Sequence, residues 1–450
     1  MTPTLPPTLA GAPPADVARA PLSQRIDSMD LLRGVAILGI FVMNTWSFSQ
    51  PQYAYTNPNA YTTEWVQGVG FPDNHEMVHG AEFAVYSIVH VLADMKFITM
   101  FSMLFGAGIL LQGERAAARG LSPWRIHYSR MVVLLIFGII HAYALWYGDI
   151  LTGYASCGLL LFPLRKARPT LLIVLGVVMI AMVSVIDLSA AADSHLPVIS
   201  TMTDWNNRQF GADGGNDFEL AAYRGGWLEQ MQHREPAAWT GQTYGFVMWT
   251  FWRCGGAILI GMALHKRRFF HGEWRREAYA SLAVLAIPIG WAVTGAGIVF
   301  NQAIGWDDSP NTVLSVSGLG AQFNYWGSLV TELGYISLGV LVAMRAAQPA
   351  HAWLRKCLWP LRAIGRTALS NYILQSLIGT TLFYGHGFGL FGTVSRVGLL
   401  YIVGTVWIVQ LIISPIYLSF FRQGPLEWVW HRLVYWRGEP PPLKDMAASL

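Results

Sequence analysis

Apolar runs of the length that crosses a lipid bilayer recur along this chain, and runs of that kind leave few folds open. The hydrocarbon core of a bilayer takes about 17–25 mainly apolar residues as one helix. Lipid offers no hydrogen bonds, so each segment must satisfy its own backbone N–H and C=O groups. The runs are Leu31–Phe48, Phe83–Leu111, Ser129–Trp146, Ile150–Leu164, Thr170–Leu188, Tyr244–Leu264, Ala278–Phe300, Phe323–Met344, Gly365–Phe383 and Val397–Phe420. The fourth is short but lies between two strong boundaries. Charged residues make up only 12% of the 450 positions, roughly half the share in a soluble protein. The expected fold is all-α, a polytopic transmembrane bundle of ten helices.

Basic residues test this count independently, because Lys and Arg in short loops favour the cytoplasmic side. They cluster in every second connection: Arg115, Arg119, Arg125 and Arg130; Arg165, Lys166 and Arg168; Lys266, Arg267, Arg268, Arg275 and Arg276; and Arg345, Arg355, Lys356, Arg362 and Arg366. Both termini are then expected to be cytoplasmic, in a multi-pass protein of the bacterial inner membrane. The net charge of +4 follows from that topology and gives no argument for nucleic acid, since no soluble segment interleaves basic and aromatic residues. The bilayer itself is the first expected partner.

Residues 1–24 read as a disordered cytoplasmic tail, 25–436 as the transmembrane domain and 437–450 as a second tail. Two periplasmic loops, 49–82 and 189–243, are too small for separate domains and read as a cap. In the second, Phe218, Tyr223 and Trp227 suit anchors of a short interfacial helix. Cys157, Cys254 and Cys357 form no CxxC pair, so neither a disulfide framework nor a metal site is expected.

Ionisable residues at membrane depth are costly and are functional candidates by default. Arg33 and Asn44 share one face of the first helix, and Arg33 has Asp30 as a partner at i−3. Lys96 falls near mid-membrane, with Glu332 and Asp149 as candidate partners; Asp94, two residues away, points elsewhere on a continuous helix. Arg253 pairs naturally with Glu332. Thr367, Asn371 and Gln375 recur every four residues, a stripe that either joins helices or lines a polar path. His141 is the best acid–base candidate, because imidazole exchanges protons near neutrality. Asp149 can orient it only if the Trp-Tyr-Gly-Asp turn folds back, since eight residues of straight helix span ~12 Å. His75, His79 and His386 are weaker rivals in outer loops.

Four segments carry a family resemblance: "RIDSMDLLRGVAILGIFVMN", "KFITMFSMLFGAG", "RMVVLLIFGIIHAYALWYGDILTGYASCGLLL" and "GRTALSNYILQSLIGTTLFYGHGFGLFG". Together they look like the YeiB-like family of bacterial inner-membrane proteins, a group associated with transport. The Arg25, Asp30, Arg33 and Gly34 pattern also resembles membrane-bound acyltransferases that modify surface sugars, and heparan-α-glucosaminide N-acetyltransferase. That second resemblance implies a cytosolic acyl-CoA, such as acetyl-CoA, as donor and no metal. It departs at the base: Asn44 stands where the bacterial enzymes carry a His, and Tyr55 where the lysosomal enzyme does.

The expected function is acyl transfer from cytosolic acyl-CoA to a small-molecule, glycan or lipid acceptor on the periplasmic side. Catalysis is assigned to His141 as base, Asp149 as its orienter and Asn44 as oxyanion donor. Donor binding goes to Arg33, Lys96 and Arg253, and the substrate path to Glu332, Asn371 and Gln375. A transporter or exporter of a small anionic or polar substrate is the alternative, weakened by the absence of a Gly- or Pro-broken helix pair. A scaffold with structural ion pairs only is the third, and assembly as a homodimer is left open.

Overall fold

The computed structural model describes residues 26–59, 80–192, 215–309 and 312–435. Among them every regular element is helical. The tails and the loop histidines His75 and His79 lie outside the described residues.

Eight helices are long and apolar enough to cross a membrane. α1 is Asp27–Ser49; α2 (Gly80–Leu92) and α3 (Lys96–Ala118) form one broken span; α4 is Pro123–Ala144. After α5 (Leu151–Leu161) and α6 (Pro169–Ala191), the cap helices α7 (Gly215–Arg224) and α8 (Met231–Gln242) lead into α9 (Phe251–Lys266). The chain closes with α10 (Arg276–Ala303), α11 (Ala321–Ala346), α12 (Trp359–Arg366), α13 (Ala368–Phe383), α14 (Arg396–Phe420) and α15 (Pro425–Val434). Two of the ten expected runs, those of α5 and α13, form helices of only 11 and 16 residues. Both are shorter than the usual crossing length.

Local chemistry explains where the helices start. Ser122 accepts the Arg125 N–H and Pro123 occupies the first turn of α4, the position where its missing N–H costs nothing. Ser395 caps α14 through Gly398 N–H. α1 is buried over nearly all its length, because α3, α11, α12, α13 and α14 surround it. α6 and α3 flank α9, and α10 pairs with α11. Close approach rests on glycine, as expected where backbone packing replaces the hydrophobic effect. At the crossing of α1 and α12, a Cβ on Gly34 would overlap the Leu361 carbonyl, and one on Gly365 would overlap the Asp30 carbonyl.

Three local expectations change. The α2–α3 span breaks at Ala93–Met95, where Met95 has a left-handed φ of 61°. Broken helices are therefore present, and Gly318 adds a non-helical residue before α11. Tyr223 is fully buried, stacked on Tyr384 with ring centroids 4.5 Å apart. It is a core residue of the cap and no interfacial anchor. Trp227 is 41% exposed and donates its indole N–H to the Ala144 carbonyl.

Candidate functional site

The turn after α4 does fold back. α4 ends when Leu145 and Trp146 both donate to the His141 carbonyl, and the chain reverses through Tyr147 and Gly148 into α5. Asp149 then sits one residue before the α5 N-cap. Its Oδ2 accepts the Thr152 N–H at 2.8 Å and the Thr152 hydroxyl, which fixes the carboxylate at a helix N-terminus where negative charge is favoured. Its Oδ1 accepts from His141 Nδ1 at 2.9 Å. Residues eight apart in sequence thus become direct partners, each with a side chain only 1% exposed. Gly138 permits this: a Cβ there would lie 2.5 Å from Thr152 N and 2.9 Å from Asp149 Oδ2.

The other imidazole nitrogen has a partner that sequence reasoning missed. His141 Nε2 stands 2.8 Å from the hydroxyl of Ser376 on α13. The Thr367, Asn371 and Gln375 stripe runs one residue to the side of it; Tyr372 and Ser376 form the neighbouring i, i+4 pair. In the tautomer that gives Nδ1–H to the carboxylate, Nε2 is left to accept the Ser376 hydroxyl, whose other acceptor within reach is the Tyr372 carbonyl at 3.4 Å. Above the imidazole, Trp146 packs edge-on at 6.3 Å and stacks obliquely on Phe48 at 4.3 Å. Beside it lies the ring of Tyr372, 5.1 Å away.

Tyr372 is also the inner wall of a cavity of about 200 Å³ that opens at the basic end of the bundle. Arg33, Arg130 and Arg366 line it, with Gln112, Tyr154 and apolar residues such as Leu134 further in. Arg130 lies over Trp430 at 4.2 Å, and its Nε has no hydrogen-bond partner among the described residues. Glu427, the one acid in the lining, is spent on the start of α13, where it accepts from Leu369 N–H, Ser370 N–H and the Ser370 hydroxyl. The cavity mouth is therefore electropositive. A second cavity, about 150 Å³, reaches Asp149 and Thr152 from the side of Gln242 and Thr250.

The remaining expected site residues lie elsewhere. Arg33 is 3.5 Å from Asp30, as the i−3 spacing suggests, and it alone of the expected donor-binding trio lines the large cavity. Asn44 is half-buried on α1 and lines neither cavity. Asn371 bonds to the Ser414 hydroxyl at 3.1 Å, and Gln375 to the Ile37 carbonyl at 3.2 Å and Gln410 at 2.9 Å. That stripe joins α13 to α14 and α1.

Lys96 and Arg253 belong to a separate polar cluster. Lys96 Nζ donates to the His90 carbonyl at 2.8 Å and to Asn324 Oδ1 at 2.7 Å. Asn324 passes its own N–H to Asp94, which also takes the Tyr55 hydroxyl. Asp94, expected on another face, joins Lys96 because the helix breaks between them. The expected Arg253–Glu332 ion pair is replaced by bonds from Arg253 to the Tyr325 carbonyl, Thr99 and Ser328. Both Glu332 oxygens are fully buried and have no hydrogen-bond partner among the described residues.

The cap carries a titratable group of its own. Glu219 on α7 accepts the Gln52 N–H at 2.7 Å and faces the Tyr147 hydroxyl at 3.5 Å, with His233 Nε2 3.7 Å away. Burial pushes its carboxyl up to about 8, against the downward pull of those two hydrogen bonds. The folded value exceeds the ordinary 4.5, so the protonated acid's contribution is full below about 4.5 and is lost as pH rises through about 8. Thermal unfolding in detergent should therefore show the cap weakening from pH 5 to pH 8.5, by at most about 1.4 kcal/mol per unit. Glu219→Gln should flatten that slope; an unchanged slope would show that Glu219 is ionised in the fold.

Sequence similarity to known proteins extends along nearly the whole chain. Residues 264–437 match the family described as "Protein of unknown function (DUF418)". The chain is 28% identical over 426 residues to "Uncharacterized protein YxaH" of Bacillus subtilis (strain 168), covering 93% of this chain and 96% of that relative. It is 28% identical over 426 residues to "Uncharacterized protein YeiB" of Escherichia coli (strain K12), covering 91% and 96%. A third relative, an "Uncharacterized 39.9 kDa protein in amylase 3'region" of Bacillus acidopullulyticus, is 26% identical over 95% of this chain and 98% of its own length. With eight helices long and apolar enough to cross a membrane, the chain is a multi-pass membrane protein that is similar along nearly its whole length to the YeiB and YxaH proteins and matches DUF418 over residues 264–437.

Proposed function

We propose that the protein transfers an acyl group from a phosphate-bearing thioester such as acetyl-CoA, entering at the basic end, to an acceptor hydroxyl or amine. The single observation that carries this reading is adjacency: an arginine-mouthed cavity ends on Tyr372, and Tyr372 packs on a histidine already held by a carboxylate. By the basic-loop rule the mouth is cytoplasmic, where acyl-CoA is found, and the membrane is the bacterial inner membrane. A cavity of about 200 Å³ is below the usual range for enclosing a whole ligand, about 300–1,000 Å³. It suits the thioester end and its arm, with the phosphates at the mouth against Arg33, Arg130 and Arg366.

In this reading His141 Nε2 takes the proton of the attacking group while Asp149 holds Nδ1–H and stabilises the imidazolium. The second cavity, beside Asp149, is the approach left for the acceptor. No metal takes part in these steps. The alternative of a transporter for a small anion draws on one observation, the break at Ala93–Met95 that places Asp94 and Lys96 on one buried asparagine. Discontinuous helices commonly build transport sites.

Binding of acetyl-CoA to the purified protein separates the two. Arg130→Gln is expected to weaken it by about thirtyfold or more, the lower bound for removing one partner of a buried charge contact, while Lys96→Met leaves it unchanged. Binding that depends on Lys96 and ignores Arg130 would move the anion site to the α3 break and favour transport.

A further inference from the structure

Ser376 is placed for more than holding an imidazole. The Ser376, His141 and Asp149 side chains form a continuous chain of hydrogen bonds, 2.8 Å from Oγ to Nε2 and 2.9 Å from Nδ1 to Oδ1. Each of the three side chains is about 1% exposed. The far oxygen of Asp149 is occupied by Thr152, so the carboxylate cannot turn away. A serine whose hydroxyl meets the basic nitrogen of a carboxylate-anchored histidine is the general arrangement of an activated nucleophile. Nε2 is thus already engaged, and an acceptor would have to displace Ser376 to use the base directly.

A second observation points the same way. Tyr372 lies one helical turn before Ser376, on the same face of α13. Its hydroxyl is buried in the wall of the arginine-mouthed cavity, where its oxygen faces the Ile150 backbone N–H, and its proton has no acceptor among the described residues. A buried donor without an acceptor costs free energy, and an oxyanion formed beside Ser376 would supply the missing acceptor.

Building on the acyl-transfer reading, we infer that Ser376 is a nucleophile that carries the acyl group as an ester between two half-reactions, with the Tyr372 phenol as oxyanion donor. In the first, Ser376 Oγ bonds to the thioester carbonyl carbon and its proton passes to His141 Nε2. The C–S bond breaks, and the leaving sulfur takes that proton as a thiol. In the second, the acceptor oxygen or nitrogen bonds to the ester carbon and gives its proton to Nε2. The bond to Ser376 Oγ breaks and the proton returns to the hydroxyl. No proton is gained or lost overall, and the two substrates need never occupy the site together. Tyr372 lines the cavity and packs on His141 while Ser376 lines neither cavity, so the thioester carbonyl reaches the serine past the edge of the Tyr372 ring.

The test uses the full-length protein and acetyl-CoA labelled in the acetyl group. After brief incubation and denaturation, wild-type protein should carry label on the peptide containing Ser376, stable to neutral hydroxylamine. Ser376→Ala should carry none and should release CoA thiol about a thousandfold more slowly. Ser376→Cys, which keeps the side-chain volume, should carry label that neutral hydroxylamine removes, the signature of a thioester at that position. Tyr372→Phe should slow labelling by about a hundredfold, the usual cost of one oxyanion donor. Transfer at the wild-type rate in Ser376→Ala, with no protein-bound label, would overturn the covalent step and leave one-step transfer intact. Wild-type protein that consumes no acetyl-CoA would overturn both.

Discussion

Replacing His141 with alanine, or Asp149 with asparagine, is expected to slow acyl transfer by about a thousandfold or more while leaving acetyl-CoA affinity within about twofold. The two effects have different origins. His141→Ala removes the base. Asp149→Asn keeps the shape but offers Nδ1 an amide in place of a carboxylate, so the imidazole loses both its fixed tautomer and the charge that stabilises its protonated form. The affinity is spared because the phosphate contacts are assigned to Arg33, Arg130 and Arg366, at the far end of the cavity. The double variant should be no slower than the slower single variant, since groups that act as one unit fail together. Losses that multiply instead would mean that the two side chains act independently.

The largest expected effect on folding comes from Gly365→Val. The position is helical, so valine's conformational preferences are not the issue; the obstacle is the Asp30 carbonyl, which a Cβ would overlap. Backbone cannot rotate aside as a side chain can, so α12 must separate from α1 and take Arg366 away from Arg33. A cost above the usual 1–3 kcal/mol of overpacking is expected. Size-exclusion profiles should show most of the monodisperse protein lost. Gly404→Val in α14, where nothing lies within 4 Å of the added atom, should leave the profile unchanged. Equal behaviour of the two variants would mean that the α1–α12 crossing is looser than described.

The all-helical bundle was legible from run length, although two of the ten expected runs form helices of only 11 and 16 residues. The His141–Asp149 pair was legible for a local reason: a glycine-bearing turn between two apolar helices can return the chain on itself. Ser376 was hidden because its neighbours Asn371 and Gln375 advertise the adjacent stripe, and nothing in one sequence says which stripe faces α4. Arg130 and Arg366 were read as loop charges that set orientation, although both line the cavity. The relation of Asp94 to Lys96 was out of reach, because the break at Met95 is marked by neither glycine nor proline. Tyr223 was misread for a related reason: aromatic residues near a membrane surface suit an anchor or a packed cap equally well, and only its neighbours decide.

The central claim is that acyl groups leave a thioester at the Ser376–His141–Asp149 site and reach an envelope acceptor. It is tested most directly in inverted membrane vesicles carrying the protein, where the orientation proposed from the basic loops turns the basic end to the medium and native acceptors are retained. Acetyl-CoA labelled in its acetyl group is added outside, and label in washed membrane material is counted. The account predicts incorporation that requires the protein and falls to background with His141→Ala. Equal incorporation in wild-type and His141→Ala vesicles, or none in either, would contradict it.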